Sequence, residues 1–303
     1  MSPDTRRIVN SSFGVGLAAF LARATPPWLG YRIAYFLADR VAGRRGWGMV
    51  RAVRANQWVV SGGSLRDAAL EEQVRLTFRN TARSIFDLHR DIKKASVVKR
   101  LVEEDNILME LLHRPQYAER GLVAVGIHLS NFDFILQAAF LLGANALVLT
   151  VPDLPGGYQQ QFEMRRRTGM ELVPASNASL RRAVEHLKRG GWVLTGMDRP
   201  VENPIVRPLF FGKPASLPAH HVYLARKARV PLIVAGALRR EDGTYQFVAS
   251  EPLEMRPGPD RDSEIRLNAE IVCRAAESFI RMAPEQWSMS FPVWPEALDQ
   301  VPG

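Results

Sequence analysis

The chain contains 303 residues, of which 47% are hydrophobic and 23% are charged. This is the composition of a globular protein, and it excludes disordered, collagen-like and disulfide-scaffold classes. A single cysteine, Cys273, excludes an intrachain disulfide and a thiolate zinc cluster. The length suits one large α/β domain, so the sequence predicts a single domain over residues 1–303.

The net charge of +9 is concentrated in the first sixty residues, which carry nine arginines and two aspartates. Such a segment matches either nucleic acid or an anionic membrane surface. Large apolar side chains, among them Trp28, Phe36 and Leu37, lie between the arginines, as an interfacial helix requires and a nucleic-acid arm does not. We therefore predict that residues 1–60 form basic amphipathic membrane-binding helices, with no nucleic-acid partner. The alternative is an ordinary amphipathic helix packed on its own domain.

This segment is predicted to lie on a bilayer rather than to cross it. Its longest uncharged run, Ile8 to Ala22, has 15 residues and includes polar ones. A span needs about 20 apolar residues. A secretory signal would have a small-residue cleavage site where Pro26, Pro27 and Trp28 stand.

The remaining elements form a helical stretch followed by alternating strands and helices. A helix begins after Ser64, and a second covers Ala95 to Glu104. The predicted strands are 121–127, 146–151, 170–173, 192–197, 205–211, 231–238 and 245–249, and the helices between and after them are 131–142, 158–167, 179–188, 219–227 and 265–282. This alternation predicts a largely parallel central sheet flanked by helices, with an α/β catalytic core over residues 121–250.

The strongest local signal is a histidine at the end of a buried strand, followed five positions later by an aspartate. His128 follows Gly126 and Ile127, and Asp133 lies in the first turn of the next helix. The carboxyl edge of such a sheet is where ligands bind, and imidazole can accept a proton from a hydroxyl near neutral pH. A carboxylate one turn away can accept from the other ring nitrogen. We predict a general base that acts on a substrate hydroxyl.

Two alternatives stand beside this interpretation. Ser130 and Asp133 have the spacing of a capping box, so Asp133 could serve only the helix start. His128 could equally be a hydrogen-bonded core histidine. The chain has no HExxH, CxxC, GxGxxG, Walker or GxSxG motif, so we expect no metal, dinucleotide or P-loop site and no serine hydrolase.

The His-x4-Asp motif resembles the signature of glycerolipid-type acyltransferases. Three further blocks are similar to the lipid A acyltransferase superfamily in the order expected, and coverage runs from about residue 8 to 295. They are Asn80-Thr-Ala-Arg83 with Asp87, Asp198-Arg199 through Pro208-Leu209-Phe210-Phe211-Gly212-Lys213, and Leu217-Pro218-Ala219 with Leu224-Ala225. Length and the basic N-terminus resemble most the phosphatidylinositol mannoside acyltransferase branch. Many lipid A enzymes have tryptophan and glutamate where this chain has Phe132 and Asp133.

The resemblance implies site residues beyond the motif. It assigns catalysis to His128 and Asp133 and substrate binding to Asn131, Arg166 and Glu202, the last two through alignment with an arginine and an acidic residue of the mannoside branch. It also implies an apolar tunnel for an acyl chain. The aromatic candidates for its wall are Phe132, Phe134, Phe210 and Phe211.

The implied activity is O-acyl transfer at the cytoplasmic face of the bacterial cell membrane, by a peripheral or monotopic enzyme. An acyl-CoA or acyl-carrier protein would supply a long acyl group to a sugar hydroxyl of a glycolipid, and no cofactor would be needed. Two alternatives remain open: a lipid A type or glycerol-phosphate acyltransferase, and a non-catalytic membrane protein that binds lipid.

Overall fold

The computed structural model describes residues 24–91, 97, 110, 120–150, 162, 163, 165–167 and 169–302. Residues 1–23 of the predicted basic segment, most of the predicted helix over Ala95 to Glu104 and half of the predicted helix over 158–167 therefore lie outside the described residues. Among the described residues, no helix combines the length and the apolar composition that crossing a membrane would require.

Within residues 24–91, three helices precede the sheet: α1 (Pro27–Ala42), α2 (Gly48–Val60) and α3 (Asp67–Asp91). Small residues form the inner face of α1, and Gly30 lies so close to α3 that a Cβ there would be 2.2 Å from the Phe86 ring. The outer face carries exposed apolar side chains that recur at helical spacing: Trp28, Leu29, Ile33, Phe36 and Leu37. Helix α1 is thus amphipathic, and no residue that the structure describes covers its apolar outer face.

Six strands form the central sheet, in the order β3-β2-β4-β1-β7-β8. The strands are β1 (Leu122–Gly126), β2 (Ala146–Thr150), β3 (Glu171–Pro174), β4 (Trp192–Gly196), β7 (Leu232–Arg239) and β8 (Tyr245–Ala249). The helices are α4 (Phe132–Leu141), α5 (Asn177–Lys188), α6 (His220–Ala228) and α7 (Arg261–Met282). All pairings are parallel except that of β7 with β8. The prediction of a largely parallel sheet flanked by helices is confirmed.

The segment 205–211, predicted as a strand, is extended only at its end. Leu209–Phe210 (β5) pairs with Lys213–Pro214 (β6) as a separate antiparallel hairpin. Its two-residue loop, Phe211 and Gly212, has φ values of 50° and 75°. Tight hairpins favour such positive φ values because they match the twist of the strands, and glycine adopts them without steric cost.

The two faces of the sheet are covered by different helices. Leu122 and Ala124 of β1 face α4, whereas Val123 and Val125 pack in the larger core with residues of α5, α6 and α7. In the strand order, the chain moves from β1 to β2 toward one edge of the sheet, and from β4 to β7 toward the opposite edge. Adjacent strands whose connections run to opposite sides create a crevice beyond their carboxyl ends, and here these strands are β1 and β4.

Gly121, just before β1, has a backbone conformation that we expect only glycine to adopt here. Its φ is +77°, and a Cβ would lie 2.4 Å from the Leu187 carbonyl oxygen. We predict that Gly121→Ala lowers the free energy of unfolding by about 3 kcal/mol or more, because strain and a backbone clash add. Gly143→Ala is the matched control, since Gly143 has φ +97° with open space around it. Urea unfolding measures both, and equal losses would contradict the steric argument.

Candidate active site

The candidate site lies at the crevice beyond β1 and β4, and the sheet register determines its composition. Gly126 of β1 pairs with Gly196 of β4 in parallel register. His128 and Asp198 each follow these glycines by two positions, so the register brings the two side chains together. The Met197 amide continues the pairing by donating to the Gly126 carbonyl at 3.2 Å.

His128 is bound to Asp198 by two hydrogen bonds. The ring nitrogen Nδ1 lies 2.6 Å from Asp198 Oδ1, and the His128 backbone N–H donates to Oδ2 at 2.8 Å. Asp198 is fully buried, whereas the His128 side chain is 29% exposed. Nε2 of His128 makes no hydrogen bond with any residue that the structure describes.

Asp198 is held in its ionised form. Burial alone would raise the pKa of this carboxyl. The charge of His128 and the hydrogen bonds from the His128 ring, the Trp287 indole and the His128 backbone outweigh burial and hold the pKa below its ordinary value. An ionised carboxylate only accepts, so the hydrogen bond to Oδ1 requires a proton on Nδ1, and in the neutral form of the ring Nε2 carries the lone pair.

Trp287 is a third member of this group that sequence reasoning missed. Its indole N–H donates to Asp198 Oδ2 at 2.8 Å. Trp287 follows a short 3₁₀ helix, Pro284–Gln286, far along the chain, and no local motif marks it. Asp198 was recognisable as the first residue of a block similar to the lipid A superfamily, but its contact with His128 was not. The available signal was its place after a strand that neighbours β1.

Asp133 does not make the contact expected of it. Its Oδ1 accepts from Arg165 Nε at 2.8 Å, and Gln137 lies 3.5 Å away. The position opposite His128 Nδ1 belongs to Asp198. The capping alternative is not realised either, because Asn131 is the N-cap of α4 and no side chain caps that helix. The charge of Asp133 is instead balanced by a largely buried ion pair with Arg165.

The three predicted substrate-binding residues occupy different environments. Asn131 is buried beside the motif, and its Nδ2 has no hydrogen-bond partner among the described residues. Arg166 and Glu202 are both exposed, and it is the neighbouring Arg165 that reaches Asp133. The structure thus buries Asn131, whose side chain interacts with Tyr245, and leaves Arg166 and Glu202 exposed.

The aromatic candidates for a tunnel wall divide in the same way. The Phe132 ring contacts the His128 ring edge-on at 4.7 Å between centroids. Phe134, Phe210 and Phe211 are buried in the hydrophobic core. Phe210 and Phe211 pack there against Trp287 and Trp294.

A buried carboxyl, Asp87, joins α1 and α3 to the sheet. Tyr31 of α1 donates to Asp87 Oδ1 at 2.7 Å, and Tyr245 of β8 donates to Oδ2 at 2.5 Å. Arg83 lies 3.5 Å from the same oxygen and over the Tyr31 ring at 4.5 Å. Burial raises the pKa of Asp87 above its ordinary value, although the tyrosines and Arg83 oppose this. Asn80, in the same block of the sequence, accepts from Arg239 at 2.8 Å.

Two further histidines are buried and neutral. Burial lowers the pKa of His220 to about 4, and burial together with His220 lowers that of His221 to about 3. His220 Nε2 lies 2.5 Å from Thr195 Oγ1 of β4. Within the described ranges, no group of three or more His, Cys, Asp or Glu side chains is arranged to hold a metal ion.

We predict that Tyr245→Phe lowers the free energy of unfolding by about 1–3 kcal/mol, because a buried carboxyl loses a donor. The loss should grow as pH rises above the ordinary pKa of an aspartate. A raised folded-state pKa means that the folded protein holds the Asp87 proton more tightly, so stability falls as pH rises between the ordinary and the raised pKa. Without the Tyr245 donor, the pKa of Asp87 in the folded protein is higher still, so stability continues to fall to a higher pH. Urea unfolding at several pH values measures this.

Tyr31→Phe is the matched comparison, since Tyr31 donates to the other Asp87 oxygen. We expect a smaller loss there, because the Tyr31 side chain is only half-buried. A Tyr245→Phe loss that stays constant across the pH range would contradict the role assigned to Asp87.

Comparison with known proteins identifies the family of the chain. No curated protein matches the chain. The model of the family described as bacterial lipid A biosynthesis acyltransferase matches residues 4–295. Members of this family are membrane-associated and use an acyl donor and a lipid acceptor. The match covers nearly the whole chain, including β1, β4 and the segment with Trp287, and the chain therefore belongs to the bacterial lipid A biosynthesis acyltransferase family.

Proposed function

We propose that the chain is an O-acyltransferase that moves a long acyl group from a thioester of CoA or acyl-carrier protein to a sugar hydroxyl of a glycolipid. The observation that carries the proposal is the pairing of buried Asp198 with partly exposed His128, which leaves Nε2 available as a base. The resemblance to the phosphatidylinositol mannoside acyltransferase branch favours a phosphatidylinositol mannoside as the acceptor.

In the proposed reaction, the acceptor hydroxyl oxygen attacks the thioester carbonyl carbon. His128 Nε2 takes the hydroxyl proton as the C–O bond forms, and Asp198 stabilises the resulting imidazolium. The tetrahedral intermediate then expels the thiolate, which receives the proton from His128. The products are an ester and a free thiol, and the thiolate leaves readily enough that no acyl-enzyme is required.

The revised site changes the role of Asp133 in this proposal. Asp198 orients and stabilises His128, while Asp133 holds Arg165 at the start of α4. Arg165, largely buried beside the motif, is better placed than exposed Arg166 to contact an anionic part of the substrate. Asn131 is also buried at the start of α4, and its side chain interacts with the Tyr245 hydroxyl and lowers the pKa of that phenol.

Catalysis is tested by His128→Ala and Asp198→Asn. We expect each to lower kcat by about 10²–10⁴-fold, because the first removes the base and the second removes the charge that stabilises imidazolium. Thiol release from acyl-CoA and acyl-carrier protein is measured with phosphatidylinositol mannoside, a lipid A precursor and glycerol phosphate as acceptors, and mass spectrometry identifies the product.

Glu185→Gln serves as the control variant, because Glu185 is exposed on α5 and has no assigned role in the site. We expect the activity of this variant to stay within threefold of that of the unmodified chain. His128→Ala activity within tenfold of that value, at an unchanged melting temperature, would overturn the base mechanism. If thiol release with every acceptor stays at the uncatalysed rate, the result would favour the non-catalytic alternative.

The outer face of α1 supports attachment to a membrane surface. Trp28, Phe36 and Leu37 are each more than half exposed, and Arg40 lies over the Phe36 ring at 4.9 Å. Aromatic and aliphatic groups beside arginines favour the boundary between headgroups and acyl chains of anionic bilayers. We propose that this face binds the cytoplasmic surface of the cell membrane and brings the crevice to its lipid substrate.

We predict that the full chain sediments with anionic liposomes and stays partly bound in 1 M salt, because apolar insertion survives when charge is screened. Replacing Trp28, Phe36 and Leu37 by serine should remove the salt-resistant fraction. In the control variant, serine replaces Ile205 and Met282, which are exposed apolar residues outside α1. This variant should bind the liposomes as the unmodified chain does. An unmodified chain that stays in the supernatant even at low salt would contradict membrane binding by this face.

A further inference from the structure

Asp198 receives three N–H groups, and one of them comes from outside the dyad. His128 supplies the ring and backbone donors, and Trp287 supplies the third, on the same oxygen as the His128 backbone. The indole N–H of Trp287 is thus bonded to the carboxylate and not to the imidazole. Any influence on the reaction acts through the carboxylate.

The indole of Trp287 has little freedom to leave this position. Its side chain is 1% exposed and contacts Phe210 edge-on, with ring centroids 6.0 Å apart. Its backbone bridges that of Leu129, directly after the catalytic histidine. On either side, the Ser288 amide donates to the His128 carbonyl at 2.8 Å and the Ser130 amide donates to the Gln286 carbonyl at 2.7 Å. The segment that carries the indole is thus bonded to the turn that carries the base.

We propose that Trp287 is a positioning residue of acyl transfer, whose indole N–H fixes the orientation and the basicity of Asp198 and thereby those of His128. This inference rests on the function proposed above. A carboxylate with one donor on each oxygen could rotate or draw the Nδ1 proton toward itself. The indole N–H occupies the remaining acceptor position on Oδ2, so Oδ1 stays directed at Nδ1.

Loss of this N–H has a predictable sign. A less hydrogen-bonded Asp198 is more basic and favours the imidazolium form of His128, so the acidic limb of the pH–rate profile moves to higher pH. Among the described residues, charged groups adjacent in sequence to the dyad include Asp133, which is paired with Arg165, and Arg199, which stacks on Phe291 at 4.4 Å. All of them are retained in the variants below, so they cancel from the comparison.

The test compares Trp287→Phe with Trp294→Phe. Both tryptophans are buried in the same aromatic cluster with rings 6.2 Å apart, but the Trp294 N–H donates to the Lys213 carbonyl at 3.3 Å, away from the dyad. For Trp287→Phe we expect kcat to fall about tenfold or more with KM nearly unchanged, and the acidic limb to rise by about half a pH unit or more. For Trp294→Phe we expect a similar loss of melting temperature with neither kinetic change.

A second variant keeps the experiment decisive if Trp287→Phe fails to fold. Benzothienylalanine at position 287 preserves the shape of the indole and replaces the N–H by sulfur, so it should reproduce both kinetic changes. If the Trp287 variants behave like Trp294→Phe, a packing role alone is left and the inference is overturned.

A readout without turnover separates this inference from the proposed function. NMR titration of the His128 ring protons should show the same upward shift in the Trp287 variants and none in Trp294→Phe. If His128→Ala retains activity while that shift is present, the acyl-transfer mechanism fails but the coupling of Trp287 to the dyad holds. If His128→Ala is inactive and the shift is absent, the coupling fails alone.

Discussion

The hydrogen bond between His128 and Asp198 is the constraint on which the rest of the site depends, and it exists because β1 and β4 pair in one parallel register. Gly126 opposite Gly196 places both functional side chains two residues further along. A slip of one residue would turn one of them to the other face of the sheet. The buried flanks of both strands, Val123 and Val193 among them, hold that register through the hydrophobic core.

A fully buried carboxylate is costly unless its acceptor positions are filled, and this requirement extends the site far beyond the sheet. Trp287 fills one position, and its segment is held in turn by α2. Asn56 donates to the carbonyls of Met289 and Phe291 at 3.0 and 2.8 Å, and Gln57 donates to that of Pro284 at 2.7 Å. Helix α2 thus holds the final segment of the chain, and this segment in turn donates a hydrogen bond to Asp198 through Trp287.

Sequence reasoning reached the fold class and singled out His128 at a strand end, but it did not find Asp198 and Trp287 as the neighbours of that histidine. The reason is that each sequence signal extends over only a short stretch of the chain. Alternation of strands and helices predicted the parallel sheet, although it could not give the antiparallel direction of β8. Strand-end placement identified His128. Spacing along the chain proposed Asp133 as its partner, because periodicity considers one element at a time. The actual partner depends on strand order: β4, not β2, lies beside β1. Trp287 depends on that order and on the path of the final segment as well.

The two faces of α1 explain how attachment and chemistry can be joined in one molecule. Its outer face presents apolar side chains to the surroundings, and its inner face is bonded through Tyr31 to Asp87. The other oxygen of Asp87 accepts from Tyr245 of β8, which pairs with β7, the neighbour of β1. A buried carboxyl shared by a surface helix and the sheet resists sliding of one against the other, because either movement would leave a buried polar group unsatisfied. Whatever surface α1 contacts, the crevice of His128 is therefore held in a fixed relation to it.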